Sequence, residues 1–243
     1  MCGRFAMIEN EEKVMQTFEI QQSGVMLEPR YNICPSQDIP VIVHHEGIRR
    51  LEICQWGFIP FWAKKSTPMI NARSETVSEK PFFRNAFWKK RCLIPATGFY
   101  EWSKEEGQKQ AYFIRIKPNS SKEGGMIAFA GLWDSWESPE GEIKRTCAIL
   151  TVSANSLMQK IHHRMPVILT PNDGYKWIDP FGTEVTLKKL LIPFNAEKME
   201  SWKVSKKIGT PTFENPDCLR KLKDPETGEK NTNSPDAQAL LFD

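Results

Sequence analysis

Apolar positions along the chain gather into short runs separated by polar turns, the pattern of strands. Ile39–His45 and Arg49–Gln55 read as two strands around the His45-Glu46-Gly47 turn, and further strand-like runs lie at Gly98–Ser103, Ala111–Lys117, Ile127–Trp136 and Thr146–Val152. Helical spacing is rarer. Between Asn10 and Ile20 the apolar residues Val14, Met15 and Phe18 share one face, with Asn10 as N-cap. Phe82–Arg91 reads as a short basic helix whose preceding Pro81 suits a first helical turn. Ala154–Ile161 predicts a short helix running into His162, and Thr186–Leu191 and Asp217–Leu222 also read as helices. Many strands with scattered short helices predict an α+β class: a single domain with a largely antiparallel β core, barrel- or sandwich-like, and short peripheral helices. Hydrophilic loops are expected at 118–125 and 137–144, and from Asp224 the composition turns polar. The domain is therefore assigned to 1–223 and a disordered tail to 224–243.

Composition narrows the chemistry. The chain has 243 residues, 40% hydrophobic and 26% charged, long enough to bury a core without disulfides or metal. Its six cysteines form no Cys-x-x-Cys, and its histidines fall in two adjacent doublets, His44-His45 and His162-His163, which is not zinc-ligand spacing. No metal or cofactor is expected. The acidic Glu9, Glu11 and Glu12 argue against a signal peptide, and no apolar stretch approaches the ~20 residues that span a bilayer. These features predict a cytoplasmic monomer with reduced thiols and no membrane association.

The net charge of +3 does not by itself indicate a nucleic-acid binder. Its distribution does more. Lys64 to Arg91 holds eight basic and two acidic residues, +6 in 28 positions, directly after the aromatic run Trp56-Gly57-Phe58-Ile59-Pro60-Phe61-Trp62. Such interleaving suits single-stranded nucleic acid, with phosphates on Lys and Arg and bases on rings. A solvated basic helix beside core tryptophans accounts for the same pattern, and the two readings stand level on charge alone.

The amino terminus is more specific. Met1 precedes a small residue, so the working protein is expected to begin at Cys2. A terminal cysteine carries an amine and a thiol on adjacent carbons. The amine condenses with an aldehyde to an imine, and the sulfur then closes a five-membered thiazolidine. The two groups ordinarily titrate at about 7.7–8.0 and about 8.5, so modest help from neighbours would make both nucleophilic near neutrality.

Five motifs follow in order: Met1-Cys2-Gly3-Arg4, Trp56-Gly57-Phe58-Ile59-Pro60-Phe61-Trp62, Asn71-Ala72-Arg73-Ser74-Glu75-Thr76, Gly98-Phe99-Tyr100-Glu101-Trp102 and His162-His163-Arg164-Met165-Pro166. In this series the chain resembles the SOS-response-associated peptidases, a family of abasic-site processing proteins. The resemblance implies that Cys2 captures the deoxyribose aldehyde of an abasic site in single-stranded DNA as a stable thiazolidine crosslink. It implies that Glu101 shuttles protons, that His162 helps open the sugar ring, and that Asn71 orients the Cys2 amine and backbone. It assigns DNA contacts to Arg4, Arg73, Arg84 and Arg164, and base wedging and stacking to Trp56 and Trp62. It further implies an abasic-site lyase activity and a hydrolysis limited to removal of Met1. Phe61 departs from the family pattern, where a small residue is common, and is expected to alter the DNA groove locally.

Without the resemblance each residue has a plainer role: a strand-end carboxylate for Glu101, a helix C-cap for His162, a turn former for Asn71 and surface ion pairs for the arginines. Two other functions remain open at this point, an N-terminal-nucleophile glutamine amidotransferase and a non-catalytic reader of single-stranded DNA. The final residues Gln238, Leu241 and Phe242 resemble the peptides by which bacterial DNA enzymes dock on the sliding clamp; a terminal apolar pair docked on the domain itself is the alternative.

Overall fold

The computed structural model describes residues 2–65, 67–105, 107–118 and 125–222. Most of the expected loop at 118–125, the expected tail at 224–243 and its clamp-like end lie outside these residues. Strands β1 (Phe5–Met7), β2 (Gln22–Ser23), β3 (Arg30–Ile33), β4 (Asp38–His45), β5 (Ile48–Trp56) and β6 (Asn71–Arg73) occupy the first third of the chain. The middle supplies β7 (Arg91–Ala96), β8 (Gly98–Glu105), β9 (Gln108–Ile116), β10 (Ile127–Glu137) and β11 (Ile143–Ser153). β12 (Arg164–Pro166), β13 (Ile168–Leu169) and β14 (Met199–Lys203) follow, and the helices are α1 (Glu11–Thr17), α2 (Pro81–Lys89), α3 (Pro171–Ile178) and α4 (Glu184–Leu190).

These strands form two sheets. One runs β14-β9-β8-β1-β3. The other runs β12-β11-β10-β7-β4-β5-β2, with β13 on β10 and β6 on β11. A short parallel seam, Thr146↔Gln55 and Cys147↔Trp56, joins β11 to β5 and closes β11-β10-β7-β4-β5 into a barrel-like ring. The hairpins are antiparallel, as expected, and the predicted turn at His45-Glu46-Gly47 connects β4 to β5. The sheets meet through aromatic edges. Phe5 of β1 lies 5.3 Å from Trp56 and 5.8 Å from Phe129, and Phe99 of β8 lies 6.0 Å from Phe129. Strand alternation turns Ala6 and Tyr100 to the opposite face, where a smaller apolar cluster with Phe113, Val204 and Ile208 fills the other side.

The helices are as short as the pattern suggests. Asn10 caps α1, its side chain accepting the Lys13 N–H. Pro81 opens α2, but that helix stops at Lys89, and Arg91 begins β7 rather than ending the helix. Arg91 explains the stop. Its guanidinium donates to the carbonyls of Phe87 (2.7 Å), Trp88 (2.7 Å), Trp177 (2.7 Å) and Asp179 (2.6 Å), which satisfies the open carbonyl ends of α2 and α3 with one buried cation. The predicted helix at Ala154–Ile161 is a single 3-10 turn, Met158–Lys160, and that at Asp217–Leu222 is a 3-10 turn at Pro216–Leu219. Helix α3, opened by the Thr170 cap and Pro171, was not anticipated.

Two motif glycines have steric reasons. Gly57 has φ +152°, and a Cβ there would sit 3.0 Å from the Pro68 Cβ. Gly98 stands where β8 crosses β9, and a Cβ would come 2.5 Å from Phe113 Cζ and 2.6 Å from the Ile114 carbonyl. Gly98→Ala is therefore expected to lower stability by about 2 kcal/mol through overpacking, read as a shifted urea midpoint.

Candidate active site around the amino terminus

β1 is an inner strand, paired with β3 on one side and β8 on the other. The ladder with β8 continues past Phe5↔Phe99, because the Tyr100 N–H donates to the Arg4 carbonyl at 2.9 Å. The next residue of β8, Glu101, thus comes level with Gly3, beside Cys2, on the face it shares with Phe99. A second element reaches the same point. β6 runs parallel to β11 with Asn71 opposite Ile149, and the Asn71 side-chain amide donates to the Cys2 carbonyl at 2.9 Å. Asn71 is 8% exposed and Glu101 3%, so both polar groups are held inside the wall of the site.

Cys2 has no exposed surface in the chain that still carries Met1. Burial drives its thiol well above the ordinary value, the negative charge of Glu101 adds to the rise, and a backbone hydrogen bond at Arg4 opposes it. In this Met1-bearing form the surroundings disfavour the thiolate.

The far end of β11 assembles the rest. β6 and β12 flank it, Thr151 facing Arg73 on one side and Pro166 on the other. Arg164 of β12 is 8% exposed. Its guanidinium makes a bidentate pair with Glu75 at 2.5 and 2.9 Å and a further bond to the Thr151 carbonyl at 2.6 Å. Arg164, expected at a phosphate, is thus committed to Glu75 of the Asn71–Thr76 motif. His162 lies just before β12. Its Nδ1 faces the Arg164 N–H at 3.0 Å, and its ring stacks on the exposed His163 with centroids 4.3 Å apart. That neighbour holds the His163 imidazole below its ordinary value.

The other predicted residues divide sharply. Arg73 and Arg84 are exposed. Arg4 turns toward the face of Tyr100, bonding Asn32 Oδ1 (3.0 Å), Cys34 Sγ (2.7 Å) and the Gly209 carbonyl (3.3 Å). Trp56 requires a correction. Its ring is fully buried against Phe5 and its indole N–H donates to the Ile70 carbonyl at 2.9 Å, so it presents no face to a base. Trp62 is 50% exposed and leans its edge on Phe82, 6.2 Å away. The basic segment also divides. Lys64, Lys65, Lys80 and Lys89 are exposed, whereas Lys90 is paired with buried Asp134 at 2.5 Å and Arg91 caps helices. Among the described residues no cluster of His, Cys, Asp and Glu could hold a metal ion. No described helix is long and apolar enough to cross a membrane.

Fold and geometry together define a barrel-like α+β protein in which Cys2, Asn71 and Glu101 come together beside the first strand. The family model for SOS response associated peptidases matches residues 1–211, and the chain belongs to that family. Abasic site processing protein YoqW of Bacillus subtilis (strain 168) is 42% identical over 225 residues, covering 90% of this chain and 99% of its own. Abasic site processing protein HMCES of Xenopus tropicalis is 29% identical over 261 residues, covering 90% of this chain and 78% of its own. A crystal structure of a protein from Bacteroides thetaiotaomicron superposes with a TM-score of 0.81 at 30% identity, over 91% of this chain and 100% of that one. A protein from Bordetella bronchiseptica shares the fold with a TM-score of 0.72 at 24% identity, over 84% of this chain and 100% of that one.

The hydrogen bonds from Arg164 hold the Glu75 carboxyl below the usual carboxylate range. A lowered carboxyl stabilises the fold above its unfolded pKa, and that contribution disappears as pH falls through the folded value. Glu75→Gln is expected to be less stable than the native chain near neutrality and to converge with it in acid, as urea midpoints measured from about pH 7 down to about pH 2 will show.

Proposed function

We propose that this protein, once Met1 is removed, captures abasic sites in single-stranded DNA through the amine and sulfur of Cys2. The observation that carries the reading is the convergence on one residue: Asn71 holds the Cys2 carbonyl, and Glu101 lies close enough for its charge to act on the Cys2 thiol. The naming of relatives at up to 42% identity for abasic site processing supports the same chemistry.

The chemistry sets an order of events. The amine leads, because the imine it forms is the electrophile on which the sulfur closes the ring. It attacks the C1 aldehyde of the opened deoxyribose, and loss of one water leaves an imine. The thiol then adds to the imine carbon. A C–S bond forms, the S–H proton passes to the imine nitrogen by way of Glu101, and the thiazolidine closes with no further loss of atoms. His162 serves the earlier step, moving a proton between the ring oxygen and the C1 hydroxyl as the sugar opens. While the imine persists, the sugar carbon beside it is acidified, and β-elimination would give the lyase side reaction. Removal of Met1 is the one hydrolysis the reading requires.

Arg73 and Arg84 take the phosphates, with exposed Lys64, Lys65, Lys80 and Lys89 adding to the field, and Trp62 stacks on a base. Arg4 and Arg164 already bond within the fold and act chiefly by holding the walls of the site. Gln238, Leu241 and Phe242 stay in this proposal as a clamp-docking peptide tethered to the domain.

The test is a denaturing gel with single-stranded DNA carrying one abasic site. Native protein is expected to give a stable adduct whose intact mass equals both partners less one water and lacks Met1. Cys2→Ala should give none, while Glu101→Gln and His162→Ala should slow adduct formation by about a hundredfold each. A stable adduct from Cys2→Ala would refute the assignment.

A further inference from the structure

The turn after β5 is gripped by the barrel at several points. The Gly57 N–H donates to the Cys147 carbonyl at 2.9 Å, and the Ile59 N–H donates to Thr146 Oγ1 at 2.9 Å. The Phe61 N–H donates to Asp134 Oδ2 at 3.0 Å, and the Trp136 indole N–H donates to the Ala63 carbonyl at 2.6 Å. Asp134 is 1% exposed and its charge is met by Lys90 at 2.5 Å. The backbone of this turn is therefore tied to the barrel from Gly57 to Ala63, and the carboxylate that holds Phe61 is buried and paired with Lys90.

That rigid turn carries two adjacent rings into solvent, Phe61 at 54% exposure and Trp62 at 50%. Trp62 has Phe82 behind it, whereas Phe61 packs against no ring among the described residues. No acidic residue occurs between Trp56 and Arg73, and Lys64 and Lys65 lie exposed just beyond the rings. A half-exposed ring on a fixed backbone beside free cations suits a partner with flat apolar faces and a negative backbone, which is single-stranded nucleic acid. The polypeptide has already met the ordering cost, so stacking on this turn loses little entropy.

We propose that Phe61 is a second base-stacking ring, fixed beside Trp62 by the barrel, that holds a nucleotide flanking the abasic gap. This rests on the abasic-DNA reading for the lesion, but the stacking itself needs only a single strand.

The experiment uses full-length protein and single-stranded DNA with a tetrahydrofuran abasic analogue, which has no aldehyde and cannot crosslink, and 2-aminopurine placed on one side of the gap or the other. Native protein is expected to quench the probe on at least one side. Phe61→Ser keeps the backbone N–H that Asp134 accepts, so its melting temperature should be unchanged. It should bind about tenfold more weakly and relieve that quenching. Phe61→Tyr should restore both. Native affinity and quenching in Phe61→Ser would overturn the proposal. Weaker binding with quenching intact would overturn it too, because it reports a contact other than stacking. If native protein forms no adduct with true abasic DNA yet the Phe61 dependence holds on the analogue, the covalent chemistry fails and the stacking role stands; an adduct with binding indifferent to Phe61 is the converse.

Discussion

The placement of β1 between β3 and β8 is the constraint on which the site depends. Most chain termini fray at the surface because few contacts tie them down. Here the first strand is an inner one, bonded on both edges from Phe5 onward, and the Asn71 amide holds the Cys2 carbonyl just before it. The same ladder brings Glu101 alongside, and β6, laid against β11, delivers the Asn71 amide to the Cys2 carbonyl. A group that is normally the most mobile in a protein has thus been given the fixed geometry of a core residue.

That geometry sets the electrostatics. Enzymes that use cysteine as a lone nucleophile surround the sulfur with positive charge or a helix N-terminus to favour the thiolate. This site buries the sulfur and puts a carboxylate nearby, and both push the other way. In the reaction proposed above the sulfur is used second, after the amine, and Glu101 takes the proton that the sulfur sheds.

Much of this could be read from the sequence, for identifiable reasons. Strands with a clear apolar run bounded by a clear turn, such as those meeting at His45-Glu46-Gly47, fall where the pattern puts them. Short strands such as β1, β6 and β12 did not emerge, because three residues carry too little periodicity and their pairing is supplied entirely by neighbours far away in sequence. The family motifs identified the amino-terminal cluster, but motif membership does not separate a residue that meets the ligand from one that supports the fold. Trp56 is the clear instance: it sits in the aromatic motif for its core contacts. The charge of Lys64 to Arg91 overstated the basic surface in the same way, since Lys90 and Arg91 are used up by Asp134 and by helix ends. The Arg164–Glu75 pair was within reach, because both residues belong to quoted motifs and carry opposite charge.

The inner position of β1 also has a consequence in time. Its partner β8 does not begin until residue 98, and the strand beneath the rest of the site, β11, not until residue 143. At ordinary synthesis speeds roughly five to twenty seconds pass before the first hundred residues exist, and until then β1 has only β3 to pair with and the wall around Cys2 is unbuilt. If Met1 is removed as proposed, an enzyme that trims it would meet the nascent chain while that wall is still open, ahead of the closure that hides Cys2. On the proposed reading, burial of Cys2 in the finished domain would not hinder removal of Met1, because the order of translation separates the two events.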